Sequence, residues 1–457
     1  MSAIDGATGL LSTPLVPCLF TPAAPPMKVP RTRFWQRFGL LMALGCLLSW
    51  LLGCASPNAS NSAPDGPQEV EFWTMQLQPD FTDYFTTLIA EFEAENPDIT
   101  VRWVDVPWGD MQSKILTAVS AGTAPDVVNL NPDFASQLAS KQAWLPLDDR
   151  LPAADKSLYL SKIWDANTLN GESFGLPWYL TTRVTLYNQE LFTAAGVTAP
   201  PTTYEELATV AQQIKAATGK YAFFISFVPE DAADVLQSFV QMGVPLVDDT
   251  GAAAFNTPEG RAVFQYWTDL YQQELLPREV LTQGHRRAVE LYQAGETAIL
   301  SAGAEFLSTI EKNAPAIAAA TASGPQITGE TGKKNVAVMN LVIPRSSDVP
   351  DAALKFALYV TNDANQLSFA KAANVLPSTT AALQDSYFTT PPADATPVTL
   401  ARSISAGQMQ DAEVLVPAME DVKALQKAIY TNLQAAMLGQ KTVDQAVTDA
   451  AAEWDAR

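Results

Sequence analysis

Thiols and imidazoles are almost missing from this chain. Among 457 residues there are three cysteines, Cys18, Cys46 and Cys54, and one histidine, His285. No thiol occurs beyond Cys54, so a cysteine-rich zinc site, an internal disulfide framework and a cysteine nucleophile are excluded from the body of the protein. A Ser-His-Asp triad would have to recruit His285, which stands in the charged stretch Gln283-Gly284-His285-Arg286-Arg287 and reads as an exposed helix or loop residue. Basic charge is scarce too: 28 Lys+Arg face 49 Asp+Glu, a formal net charge of −21. Such a surface repels phosphate backbones and anionic lipid heads, which argues against nucleic acid partners and polybasic membrane docking. What is plentiful is apolar material, 47% of residues, enough for two or three domain-sized units.

The rare basic residues cluster near the start. Lys28, Arg31, Arg33 and Arg37 precede an apolar run over 38–52, which is too short to span a bilayer comfortably and reads as a secretory signal. The run closes on Leu51-Leu52-Gly53-Cys54, which resembles the lipobox of bacterial lipoproteins. That resemblance implies cleavage before Cys54, lipid attachment to its sulfur, and a membrane-anchored location on the periplasmic or extracellular side. Residues 2–26 carry no basic residue, so Met27 is the expected start, 1–26 a start-site artefact and 27–53 the signal peptide. Removing 1–53 takes away four basic residues and one acidic residue, leaving a body of net charge −24. Residues 54–68 are the lipidated cysteine and a polar, proline-rich tether, with about 40 Å of reach at most.

From Val70 the pattern alternates strand and helix. Residues 70–74 are β-type; Phe81, Tyr84, Phe85, Leu88, Ile89 and Phe92 then mark one face of a helix that ends at Asn96-Pro97. A strand through Ile99, Val101 and Trp103, a helix through Met111, Ile115 and Val119 stopping at Gly122, and a strand over 126–130 follow. This order implies a mainly parallel sheet covered by helices, with ligands bound beyond the carboxyl ends of its strands. In a second α/β body, Thr203 and Glu206 form a capping box, 221–227 is the next expected strand, and Thr257-Pro258 opens another helix. Tyr266, Trp267 and Tyr271 keep helical spacing and read as core. Asp248-Asp249-Thr250-Gly251 lacks the acidic residue that a calcium loop needs and reads as a turn. No metal or cofactor is expected.

Several strings then carry a family resemblance. Trp108-Gly109-Asp110 leading to Lys114, Ser120-Ala121-Gly122-Thr123-Ala124-Pro125-Asp126, Gly175-Leu176-Pro177-Trp178, Leu186-Tyr187-Asn188, Pro200-Pro201-Thr202-Thr203-Tyr204, Ala294-Gly295-Glu296-Thr297-Ala298 and Leu376-Pro377-Ser378 occur in order. Together they resemble the family 1 extracellular solute-binding proteins of ABC importers, the maltose-binding-protein-like group. The resemblance implies an α/β, bilobal, periplasmic-binding-protein-like fold: two discontinuous lobes joined by crossings near 179–184, 336–341 and 384–392. The expected lobes are 69–180 with 340–386 and 181–339 with 387–457. It also implies a carrier, not an enzyme, that hands a small solute to membrane permease subunits.

Sugars present apolar faces and hydroxyls, so their sites combine aromatic platforms with amides and carboxylates. The expected ligand-binding residues are Trp73, Gln76, Asn131, Asp133, Trp178, Tyr179, Arg183, Phe227, Gly303, Glu305 and Asn374. Trp178 leads this set, because a cleft crossing should leave a large aromatic partly exposed. Gly303 to Phe306 match the family's Gly-x-Trp cleft region, yet Glu305 stands where the aromatic belongs, which points to a shorter, more polar ligand such as a disaccharide or glycosylated polyol. Glycerol-3-phosphate or another phosphate ester is the alternative solute, with Arg183 as its cationic partner. A surface-anchored glycoside hydrolase is the alternative of another class and would need paired carboxylates.

Overall fold

The computed structural model describes residues 67–457 except 230, 232, 391, 392, 394, 395 and 420. The leader, Cys54 and nearly all of the tether lie outside the described residues.

Two hydrophobic cores organise the chain, each built around its own sheet. The first sheet starts with β1 (Gln68–Met75), β2 (Ile99–Val106) and β3 (Val127–Leu130), all parallel; Gln68 pairs with Ile99, Met75 with Val106, and Phe72 with Val127. After a hairpin of β4 (Thr168–Leu169) and β5 (Glu172–Ser173), β6 (Leu176–Thr182) joins the sheet, and β7 (Val184–Asn188) leaves it. With β8 (Ile299–Ala302) and β9 (Thr321–Gly324), β7 forms a second, three-stranded antiparallel sheet in the order β8-β7-β9. The chain then returns as β10 (Lys334–Val342), which pairs antiparallel to both β3 and β6, while β11 (Leu376–Pro377) extends the edge beside β6 and β12 (Ala412–Glu413) pairs with β10. The first sheet is therefore mixed, not mainly parallel: β6 runs with β1–β3, whereas β10, β11 and β12 run against them.

Local chemistry explains the helices. In α1 (Thr82–Glu95), Phe85, Leu88 and Phe92 are buried, the stripe that the spacing predicts. Phe85 packs on Phe72, Trp103, Trp178 and Phe369, the Trp103 ring centroid 4.7 Å away. After α2 (Trp108–Ala121), Gly122 takes the left-handed φ of 68° that lets its N–H cap the helix end. Asn131 caps α3 (Pro132–Ala139) by accepting from the Phe134 N–H at 2.9 Å. The Thr203–Glu206 capping box forms in full at the start of α4 (Tyr204–Thr218), and Thr257 caps α6 (Pro258–Gln272) through the Gly260 N–H, with α5 (Asp234–Gln241) between them. Trp267 is buried in the second core, with Tyr266 and Tyr271 packed on it. Asp248 accepts from Thr250 and Ala252 in the expected turn.

One expected strand is absent. Residues 221–227 bridge only at Tyr221 with Thr297, and no ladder follows. Their carbonyls are satisfied otherwise: Tyr221 and Ala222 accept from Ala298 and Ile299, and Phe227 accepts from the Gln434 side chain. Burial of Phe223, Phe224 and Phe227 uses the β-type composition without a strand ladder.

The chain passes between the cores several times, and buried side-chain amides bind the passages to one another. Leu180 belongs to the first core and Val184 to the second. Gln408, at the end of α10 (Pro397–Gln408), donates to Thr182 Oγ1 at 3.1 Å and to the Arg183 carbonyl at 3.0 Å, and its Oε1 accepts from Gln326 N–H at 2.7 Å. Gln326 exchanges bonds with the Asn335 backbone, and Asn335 Oδ1 accepts from Leu415 N–H. Among the described residues no helix is long and apolar enough to cross a membrane.

Candidate ligand-binding cleft

The parallel register places the carboxyl ends of β1, β2 and β3 side by side. Gln76 follows β1 in a left-handed conformation, φ 52°, and is exposed; Trp108 opens α2 just after β2; Asn131 and Asp133 follow β3. Asp133 reaches the second core. Its carboxylate lies 3.2 Å from Lys423 Nζ on α11 (Val422–Met437), and Lys423 also donates to the Asp231 carbonyl and Gln426. Asn131 spends its side chain on the helix cap.

A second group converges where β6 becomes β7. Arg183 donates from one guanidinium nitrogen to the Ser301 carbonyl at 2.8 Å and from another to Asp234 at 2.7 Å, both members of that pair being mostly buried. The Glu305 carboxylate folds over Gly303, so that a Cβ at this position would have to displace it. Burial pushes the Glu305 carboxyl up to about 7, with the positive charge of Arg183 pulling the other way. Burial likewise raises the Tyr179 phenol, and the neighbouring Glu305 charge adds to it. Asn374, the left-handed cap after α9 (Asp363–Ala373), which follows α8 (Pro350–Val360), donates to the Ala304 carbonyl at 3.0 Å, leaving its own Oδ1 buried without a partner. Tyr179, Arg183, Gly303, Glu305 and Asn374 are thus brought together.

Three expected residues stand elsewhere. Trp178 is fully enclosed, stacked on Phe369 at 4.8 Å and edge-on to Phe72 and Phe85. The reason is that β6 runs between β10 and β11 and is covered on both faces, so the crossing exposes no indole. Trp73 packs under α2 with Lys114 Nζ 4.3 Å from its ring, beside a surface groove of about 390 Å³ also lined by Ser113, Thr117 and Thr123. Phe227 is wholly buried against Trp267.

Other residues enter unannounced. Asp231 holds the first N–H of α7 (His285–Gln293) at 2.7 Å, and Asp234 neutralises Arg183. The pair 231 and 234, three apart at the start of α5, was the sequence signal for acidic groups there. His285 is not exposed: it is half-buried, its ring edge-on to Phe306 at 6.0 Å. Burial, then the Arg183 charge, lowers its pKa to about 4. Chemically the cleft holds one carboxyl kept near neutrality, a phenol and an amide, all able to accept or donate to hydroxyls. Among the described residues Asp133, Asp231 and Asp234 are already engaged as acceptors. Among the described residues no three acidic, histidine or cysteine side chains converge as a metal site.

Comparison with known proteins gives a family and many relatives, of which three are described. The sequence profile described as bacterial extracellular solute-binding protein matches residues 78–367. The chain is similar to the crystal structure of a proposed oligosaccharide periplasmic-binding protein from Synechococcus sp. MITs9220 in complex with zinc, at 45% identity and TM-score 0.80, covering 85% of this chain and 98% of that one. An arabinooligosaccharide-binding protein of Halalkalibacterium halodurans is 26% identical over 318 residues, 66% of this chain and 69% of its own length. A lipoprotein of Streptomyces antibioticus is 29% identical over 183 residues, 39% of this chain and 40% of its own length.

Proposed function

The chain belongs to the bacterial extracellular solute-binding proteins, and from that premise we propose that it captures a small oligosaccharide or glycosylated polyol between its two cores and delivers it to the permease of an ABC importer. It binds its solute without transforming it. The two cores are the lobes of a clamp, first 69–180 with 340–386, second 181–339 with 387–457, except that Val336, Val338, Met339, Phe388 and Ala412 pack in the first core, and the passages bound by Gln326, Asn335 and Gln408 are the hinge on which they close. One observation carries the reading: Tyr179, Arg183, Glu305 and Asn374, from segments far apart in sequence, meet at the junction of the cores with hydrogen-bonding capacity left over. Hydroxyls are the groups that such a mixture of phenol, amide and half-protonated carboxyl satisfies.

Relatives support the solute class, since one is described as binding arabinooligosaccharides and another as an oligosaccharide-binding protein. The lipid anchor at Cys54 is supported by the lipobox-like Leu51-Leu52-Gly53-Cys54 and by the lipoprotein relative. Glycerol phosphate fits less well, because Arg183 is already neutralised by Asp234. Thermal melting against disaccharides, malto- and arabino-oligosaccharides, glycosylated polyols and glycerol phosphate checks this. A true solute at a hundred times its Kd stabilises by about 2.7 kcal/mol. A rise with a sugar is the expected result; a rise with glycerol phosphate alone would overturn the carbohydrate class.

A further inference from the structure

We infer that Trp108 is an outer subsite of the cleft, on whose indole a terminal sugar ring of an oligosaccharide stacks; the inference rests on the carbohydrate reading above. Among the described residues three large hydrophobic side chains stand exposed, Trp108 (46%), Leu400 (38%) and Leu438 (50%), and Trp108 is the aromatic one. The Trp108 indole is nearly half exposed, so part of its apolar face is open to a stacking partner.

Its position indicates the partner. Trp108 follows the carboxyl end of β2, the side of the sheet from which Asp133 reaches Lys423. Strand order β3-β1-β2 puts the Trp108 loop two strands from the Asp133 loop, roughly 10 Å at the usual spacing. The indole therefore flanks the path of a chain leaving the junction between the cores.

The rim that carries it is built. The Trp108 N–H donates to Gln76 Oε1 at 3.3 Å, joining the loops after β1 and β2. Beneath them the Asp105 carboxylate accepts from Thr74 Oγ1 at 2.6 Å, Leu77 N–H at 2.9 Å and Gln78 N–H at 3.1 Å. A Cβ at Gly109, the next residue, would meet nothing within 4 Å, so the start of α2 is open at that position. Glu305 occupies the position where the family resemblance places an aromatic; Trp108 supplies an apolar platform on the opposite wall.

The test is calorimetric titration of the full chain, wild type, Trp108→Ala and Trp108→Phe, with malto- and arabino-oligosaccharides from disaccharide to pentasaccharide. The expected result is that Trp108→Ala weakens the pentasaccharide about tenfold and leaves the disaccharide unchanged, while Trp108→Phe retains most of the affinity. Equal Kd values for wild type and Trp108→Ala at every length would overturn the subsite and leave the carbohydrate reading standing. An equal loss at every length with a lowered melting temperature would also overturn it, by assigning Trp108 a structural role. No binding of any sugar to the wild type would overturn the carbohydrate reading and the subsite with it.

Discussion

The two cores solve the same task with different materials. The first is a mixed sheet in which Phe72, Phe85, Trp178, Phe356 and Phe369 interlock, and its contributions to the cleft come from loops at strand ends, from Tyr179 within β6 and from Asn374 at a helix end. The second has three short antiparallel strands, and its mass is helical, with Phe239, Phe264, Trp267, Tyr430 and Trp454 buried between α5, α6, α11 and the final helix over Val443–Asp455. Its cleft residues, Asp231, Asp234, Glu305 and Lys423, come from loops and helix starts held by side-chain bonds. A sheet sets the direction of its loops through the backbone, whereas helices set theirs through individual polar contacts. The first wall should therefore be rigid and the second adjustable, which suits a clamp whose one side seats the solute while the other closes on it.

The largest expected effect breaks the comparison at its root. Phe85 and Phe264 are each fully buried in a different core, so truncation of either to alanine should cost about 3–5 kcal/mol. If the cores are separate cooperative units, scanning calorimetry will show Phe85→Ala lowering one transition and Phe264→Ala the other. A single transition lowered equally by both would mean that the buried amides of the passages weld the cores into one unit.

The same contrast explains how much could be read beforehand. Helix starts were legible because capping is local: Thr203 with Glu206, and Thr257 before Pro258, need only a few neighbouring residues. The amphipathic face of α1 was legible for the same reason. Trp178 misled because five consecutive residues of β6, Leu176 to Leu180, are buried, so no alternation marks which side of the strand faces a cleft. Residues 221–227 misled because apolar β-type side chains do not say whether burial comes from a ladder or from helices. Lys423 was invisible because its partner Asp133 lies 290 residues away. Glu305 and Arg183 were legible only through the family resemblance, and their mutual effect on proton affinity needed the fold.

A middle-sized effect is expected from acid and base at the adjustable wall. Glu305 has its carboxyl raised to about 7, so the folded state holds that proton more tightly than the unfolded chain; its contribution is fully present below about 4.5 and is lost as pH rises through about 7. His285 is shifted the opposite way, to about 4, so its contribution is present above about 6.5 and lost as pH falls through about 4. Between about 4.5 and 6.5 the two trends oppose each other. Glu305→Gln should remove the first and leave melting temperatures that fall as pH drops through this window. Unchanged pH profiles in that variant would show that the carboxyl titrates as an ordinary surface group.

The smallest effect sharpens the comparison where the walls touch. Lys423 and Asp133 meet at 3.2 Å, their side chains 22% and 29% exposed, and the lysine also holds the Asp231 carbonyl. An ion pair still reached by water contributes only about 0.2–1 kcal/mol, so Lys423→Met should lower the melting temperature little. Its effect on the solute should exceed its effect on stability, because the contact exists only while the walls are together and any free energy it supplies belongs to the closed form. A strengthening of solute binding by the variant would show that the pair competes with the solute for Asp133; a weakening of a few-fold would show that it helps to hold the clamp shut. Raising salt should mimic the variant in the wild type and do nothing further to Lys423→Met, since screening acts only where the two charges remain.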